Sequence, residues 1–254
     1  MKVLIPIIAI MLITALYSML FAQEMTGYQI MKNVDERVIP DDIETDMTMN
    51  LVDKKGRVRS RFIHSYRMSD DKQIMWFNEP ADVKGSSFLR LSYDDRDDDM
   101  WIYLPAFGKV RRIASHAKNG SFMGSDFTYE DMGDRKVDDY EYTILGEEDV
   151  DGRSCWMIQS IPKPGVATDY SKGVSWVWKQ EFIVVKSDLY DKKGKLRKQM
   201  NQNLIELDGY WIYDRITMHN LKRQGHTELI LDNIKLNTGV EETLFKSNQL
   251  TRIR

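Results

Sequence analysis

Asp46-Met47-Thr48-Met49-Asn50-Leu51-Val52-Asp53-Lys54-Lys55-Gly56-Arg57-Val58-Arg59-Ser60-Arg61-Phe62 is the stretch on which the fold turns. Met47, Met49 and Leu51 alternate with Asp46, Thr48 and Asn50, the period of a strand with one buried face. Asp53-Lys54-Lys55-Gly56 is a turn signal. Beyond it, Val58, Phe62, Tyr66 and Met68 are expected on one face, opposite Arg57, Arg59, Arg61 and Arg67. The two runs read as a hairpin. Its pairing predicts that Met47, Met49, Leu51, Phe62 and Tyr66 face one concave interior.

On the N-terminal side the period changes to that of a helix. Ile30, Val34 and Val38, with Met31 beside them, predict a helix over 25–38, capped by Thr26 and stopped by Pro40. On the C-terminal side, strands are expected at 74–78, 87–93, 100–104 and 110–113. A second set follows at 140–147, 155–161, 174–178, 182–190, 195–207, 210–219 and 227–236, and 244–250 reads as a short closing helix. Asp151-Gly152, Asp191-Lys192-Lys193-Gly194 and Asp208-Gly209 mark turns between them. One helix cannot cover both faces of so large a sheet. The expected fold class is mostly β: a large, strongly curved antiparallel sheet forming an unclosed barrel, with the N-terminal helix on its concave side.

Two stretches break the alternation. Met100-Trp101-Ile102-Tyr103-Leu104 is apolar on both faces, as in a central strand covered on both sides. Residues 115–134 have no period and contain Gly120, Gly124 and Gly133, the mark of a long functional or mobile loop.

Residues 1–22 join Lys2 to a long apolar run ending in Ala22, the pattern of a secretory signal peptide. Cleavage there would start the mature protein near Gln23, with 23–254 as a single domain. Leu20 departs from the small residue expected before the cut, and the run is nearly long enough to be a retained anchor. Export from the cytoplasm is expected. Cys155 is the only cysteine, so no disulfide forms within the chain and stability must come from core burial. Without Lys2, 35 basic residues stand against 39 acidic ones, no general electrostatic case for nucleic acid.

The sequence offers little catalytic chemistry. The four histidines lack zinc-motif spacing, and no metal or cofactor is expected. Asp94–Asp99 is acidic but lacks the interleaved glycine and distal glutamate of a calcium loop, and reads as a solvated hairpin tip. Gly124-Ser125-Asp126 is not a nucleophile elbow. What remains is soft apolar surface. Three of the 15 methionines lie in 1–22, and Met47, Met49, Met68, Met75 and Met100 fall on neighbouring strands. Such residues suit varied apolar partners, and also ordinary cores.

The run Met100-Trp101-Ile102-Tyr103-Leu104-Pro105-Ala106-Phe107-Gly108-Lys109-Val110-Arg111-Arg112-Ile113 and the run Ser121-Phe122-Met123-Gly124-Ser125-Asp126-Phe127-Thr128-Tyr129-Glu130-Asp131 together resemble the outer-membrane lipoprotein-sorting-like proteins, relatives of the LolA carrier. Lys84-Gly85-Ser86-Ser87-Phe88-Leu89, 145–152 and Gly225-His226-Thr227 also match, and the resemblance covers about residues 25–254. It implies an unclosed β-barrel plugged by helices, with a hydrophobic cavity for acyl chains. It also implies a periplasmic setting and, in this branch, partnership with resistance-nodulation-division (MMPL-type) lipid exporters.

The expected function is a non-enzymatic, monomeric carrier of lipid or lipoprotein acyl chains. The alternative is an envelope scaffold or exporter accessory that carries nothing; a lipid hydrolase is a third reading, weakened by the missing nucleophile motif. Candidate cavity residues are Met49, Phe62, Met75, Phe77, Leu89, Leu91, Trp101, Tyr103, Trp176 and Trp178, with Trp101 and Tyr103 chosen over Met100 and Ile102. Lys109, Arg111 and Arg112 could meet lipid headgroups or an acidic partner, or pair with Asp126, Glu130 and Asp131 across the loop. Phe122, Met123, Phe127 and Tyr129 would form a lid, or simply a plug.

Overall fold

The computed structural model describes residues 25–252. The expected signal peptide at 1–22 lies outside the described residues. Helix α1 (Gly27–Asp35) opens on a capping box: Thr26 Oγ1 accepts from Gln29 N, and the Gln29 side chain accepts from Thr26 N. The helix ends three residues before the expected boundary. Val38, expected on its apolar face, is 82% exposed. Ile30 is the fully buried anchor, packed with Ile158 and Val177. Gly27 lets the helix approach closely, because a Cβ there would lie 3.1 Å from Tyr142 Cβ. Gly27→Val is expected to lift α1 from the sheet and cost about 1–3 kcal/mol, the range for overpacking, read as a lower urea midpoint.

Thirteen strands follow: β1 (Asp42–Val52), β2 (Val58–Met68), β3 (Lys72–Glu79), β4 (Ser87–Leu91), β5 (Asp99–Leu104), β6 (Lys109–Arg112), β7 (Tyr140–Val150), β8 (Arg153–Pro162), β9 (Tyr170–Trp178), β10 (Ile183–Asp191), β11 (Leu196–Leu207), β12 (Tyr210–Asn220) and β13 (Gly225–Leu236). They form one sheet in the order β6-β5-β4-β3-β2-β1-β13-β12-β11-β10-β9-β8-β7. The sheet is antiparallel and unclosed, as expected. Its edges, β6 and β7, are consecutive in the chain. The segment between them, about residues 113–139, therefore has to cross from one edge to the other.

The first hairpin forms at the expected turn. Asp53 accepts from Lys55 N and Arg57 N, and Gly56 has φ +76°. Its facing differs from expectation. Met47 pairs with Ile63, Met49 with Arg61, and Thr48 with Phe62. Directly paired residues share a face, so Phe62 and Tyr66 lie opposite Met47, Met49 and Leu51. Phe62 is 46% exposed, and Ile63 takes the buried place. The arginines Arg59, Arg61 and Arg67 share the concave side.

Nearby, β3 and the end of β2 are covered on both faces. Ile74, Met75, Trp76 and Phe77 of β3 are all buried. Met75 and Phe77 pack inward with Met47, Met49, Phe88 and Met100. Ile74, Trp76 and Leu89 pack outward beneath Leu244, Phe245 and Leu250. The C-terminal segment, with two short 3-10 turns in place of the expected closing helix, is a strap on the convex side. It also explains the two-sided apolar pattern of β5, which lies next to the sheet edge rather than at its centre.

Candidate functional site

Part of the concave side is filled by the chain itself. The crossing segment packs Phe122 and Phe127 into the core formed by the first strands, with Met123, Tyr129 and Met132 against it. Four ties hold it down. Arg61 of β2 donates to Met123 O. Thr227 Oγ1 of β13 accepts from Asp126 N at 2.9 Å and donates to Asp126 Oδ2 at 2.9 Å. Asp131 accepts from Lys198 Nζ at 2.5 Å and from Tyr170 Oη at 2.8 Å. Glu130 accepts from Thr168 Oγ1 and Asp169 N. Burial alone would raise the Asp131 carboxyl, but Lys198 and the Thr128 hydrogen bonds overcome it and hold the group below the ordinary carboxylate range. Phe122, Met123, Phe127 and Tyr129 are thus a packed plug. Arg223 and Thr227, not Lys109, Arg111 or Arg112, meet Asp126.

Those three basic residues stand on the edge strand. Arg112 pairs with Asp99, Arg111 lies over the Phe107 ring at 4.5 Å, and Lys109 is exposed. Asp99 is also held by Arg96, while Asp98 accepts from Ser92 Oγ and Asp134 N. Both carboxylates are buried, so the acidic stretch is structural at its end rather than wholly solvated.

Between the plug and α1 the sheet leaves a cavity of about 480 Å³. Its apolar wall includes Met31 and Val34 of α1, Met47, Met75, Met200, Ile216 and Met218. Its polar wall includes Arg37, Arg67, Arg90 and Arg135, with Asp35, Asp70 and Asp134. Burial pushes the Arg67 guanidinium below its ordinary value; Asp70 opposes that shift, and Arg37 and Arg90 add to it.

Of the ten candidate lining residues, Met75 alone is on the cavity wall. Met49 and Phe77 belong to the same inner core but are closed in behind it. Leu89, Leu91, Trp101 and Tyr103 lie on the convex side under the strap. On β5 Met100 faces the inner core, so Trp101 and Tyr103 face outward, the reverse of the expected parity. Phe62 faces outward. Trp176 and Trp178 belong to a separate cluster with Cys155 and Ile183; Trp176 donates to Glu148 Oε2 at 2.7 Å, and Trp178 meets Trp211 edge-on. The wall residues missed in the sequence come mostly from the second half, where α1 packs over β8 and β9. The signal was present in Met200, Ile216 and Met218, which fall at alternate positions of β11 and β12.

A family model with the description "Uncharacterized protein" matches residues 69–252. Among curated proteins, none matches. A solved DUF1329 family protein from Desulfovibrio piger is 32% identical, with a TM-score of 0.83 over 88% of this chain and 97% of that one. A "putative outer membrane lipoprotein-sorting protein domain" from Vibrio parahaemolyticus is also 32% identical, with a TM-score of 0.83 over 89% of this chain and 98% of that one. A LolA superfamily protein from Nitrosomonas europaea, at 19% identity and a TM-score of 0.69 over 89% and 99% of the two chains, shares the fold. Identity at this level over nearly the whole of both chains places the protein in the DUF1329 family with the Desulfovibrio piger protein, and its fold is the LolA-like open barrel.

Proposed function

We propose that this chain is a periplasmic carrier that shields an acyl chain, of a lipid or a lipoprotein, in the cavity between α1 and the plug. The observation that carries the reading is the methionine-rich wall of a 480 Å³ cavity on the concave side of the sheet. Its volume lies within the ~300–1,000 Å³ of small-molecule sites. Methionine side chains adapt to chains of different shape. Each methylene withdrawn from water contributes about 0.8 kcal/mol, so a partly inserted chain is held. The relative from Vibrio parahaemolyticus, described as a lipoprotein-sorting domain, supports the same class of cargo. An exporter of the resistance-nodulation-division type is the proposed partner, on the strength of the sequence resemblance at 99–132. The exposed Phe107 and Lys109 of the β5–β6 hairpin are the surface offered to it.

Saturable uptake of a fluorescent fatty-acyl probe tests the carrier reading. Ile216→Glu places a carboxylate on the apolar wall and should weaken uptake at least about tenfold, the equivalent of about 1.4 kcal/mol. Phe62→Lys, on the convex face, should leave uptake within about twofold. Circular dichroism checks that both variants fold. A wild-type protein that shows no saturable uptake is a scaffold, not a carrier.

A further inference from the structure

Shielding an acyl chain makes no use of the arginines in the cavity wall. Arg67 of β2, Gln73 of β3 and Arg90 of β4 are paired in register, so they form a row across the concave face. Arg37, just after α1, joins them on the same wall. The row is poorly satisfied. Three guanidiniums carry about fifteen N–H donors. Among the described residues, one hydrogen bond uses them: Arg90 Nη2 donates to Asp70 O at 2.6 Å. Arg67 Nη1 stands 3.5 Å from Asp70 Oδ1, and Arg90 Nη1 stands 4.0 Å from Asp98 Oδ2, both long for charge-assisted bonds. The Arg90 side chain is only 9% exposed, yet its Nε has no partner.

The acids nearby do not remove this deficit. Among the described residues no hydrogen bond joins Asp35 to these arginines, and Asp98 is engaged by Ser92 and the Asp134 backbone. Burial pushes the Asp134 carboxyl up, Arg90 opposes that, and Asp98 and Asp35 add to it, so Asp134 binds a proton more readily than an ordinary aspartate. A buried guanidinium with donors left unpaired, as at Arg90 Nε, is costly, and its planar fork matches a carboxylate or phosphate.

We propose that Arg67, Arg90 and Arg37 form an oxyanion site, and that the cavity's cargo is a single-chain amphiphile with an anionic headgroup, a carboxylate or a phosphate ester. The inference rests on the carrier reading and narrows its ligand class. The headgroup accepts hydrogen bonds from the arginine row while its chain lies along Met75, Met200 and Met218. A neutral headgroup can offer hydroxyl and carbonyl acceptors but no negative charge to balance the guanidiniums, and its hydrogen bonds to them are weaker.

The test displaces the fluorescent acyl probe from the purified full chain with three ligands of equal chain length: palmitate, palmitoyl lysophosphatidate and monopalmitoylglycerol. Both anionic ligands should compete at least about tenfold more tightly than the glycerol ester if the site takes either oxyanion. Tighter binding of one identifies the source as carboxylate or phosphate. Arg67→Gln should bring the anionic ligands to within about threefold of the neutral one and leave the neutral one unchanged. Arg37→Gln, at a half-buried position outside the sheet, should shift the same ratio in the same direction and keeps the test open if the Arg67 variant does not fold. Equal competition by all three ligands in the wild type overturns the headgroup inference and leaves the carrier reading standing. An equal loss for all three ligands in both variants also overturns it. Absence of probe binding in the wild type overturns both.

Discussion

Lys198→Met is expected to destabilise the protein by about 3–5 kcal/mol, the range for removing one partner of a buried ion pair. Lys198 and Asp131 have side chains only 1% and 4% exposed and lie 2.5 Å apart. Their attraction does not by itself stabilise the fold much, because both charges were taken out of water. The loss comes from what remains: a buried carboxylate facing Tyr170 and Thr128 with no cation. Urea unfolding should show a lower midpoint at a similar slope. The double variant Asp131→Asn with Lys198→Met should recover part of the loss, because no charge is left stranded. The pH dependence has a definite sign. The folded Asp131 carboxyl is depressed, so its contribution is fully present above the unfolded value of about 3.9 and is lost as pH falls through the folded value. In Lys198→Met that acid-side loss should shrink. A variant as stable as the wild type would show that the plug does not depend on this pair.

The second large effect is expected from removing the convex strap. Ending the chain after Asn237 uncovers Ile74, Trp76 and Leu89 and removes the buried Leu244, Phe245 and Leu250. Each of the three lost side chains contributes about 1.5–3 kcal/mol of burial. The sum is comparable with the whole stability of a domain, about 5–15 kcal/mol. The truncated protein should lose cooperative unfolding or aggregate through the exposed face. Phe245→Ala alone should cost about 3–5 kcal/mol, the range for a buried phenylalanine. The strap is fastened at its start by one carboxylate. Asp42 accepts from Thr238 N and Oγ1 and from Gly239 N at 2.8 Å, and from Val240 N at 3.2 Å. Burial alone would raise Asp42, but these bonds hold it below its ordinary value. A soluble truncated protein with an unchanged midpoint would show that the strap is dispensable.

The strands were legible because period-two alternation and turn residues are local signals. Gly56, Gly152, Gly194 and Gly209 each adopt the positive φ that their turns require. Helix α1 was legible from its cap and from Ile30. Which face is concave was less legible. Alternation tells that two faces differ, and it fails when both are covered, as on β3 and β5. The strap that covers the outer face comes from a part of the chain more than 150 residues from β3, so nothing local announces it. Trp101, which packs beneath that strap, reads as interior for that reason. The arginine row was hidden in the opposite way. Arg67 and Arg90 look like solvent-facing residues until the curvature of the sheet turns their side inward.

The sheet order has a kinetic consequence. β1 to β6 and β7 to β13 are two meanders in which each strand meets its neighbour in sequence. One ladder joins them, β1 with β13, whose partners such as Ile43 and Leu236 are separated by most of the chain. Each meander can assemble through short loop closures, whereas that ladder must close a loop spanning both. The entropy of closure grows only by about 0.6 kcal/mol per doubling of loop length, so the join costs the folded state little. It costs time instead, since non-local pairing slows folding. Until the halves meet, the outward edges of β1 and β13 remain open templates for other strands.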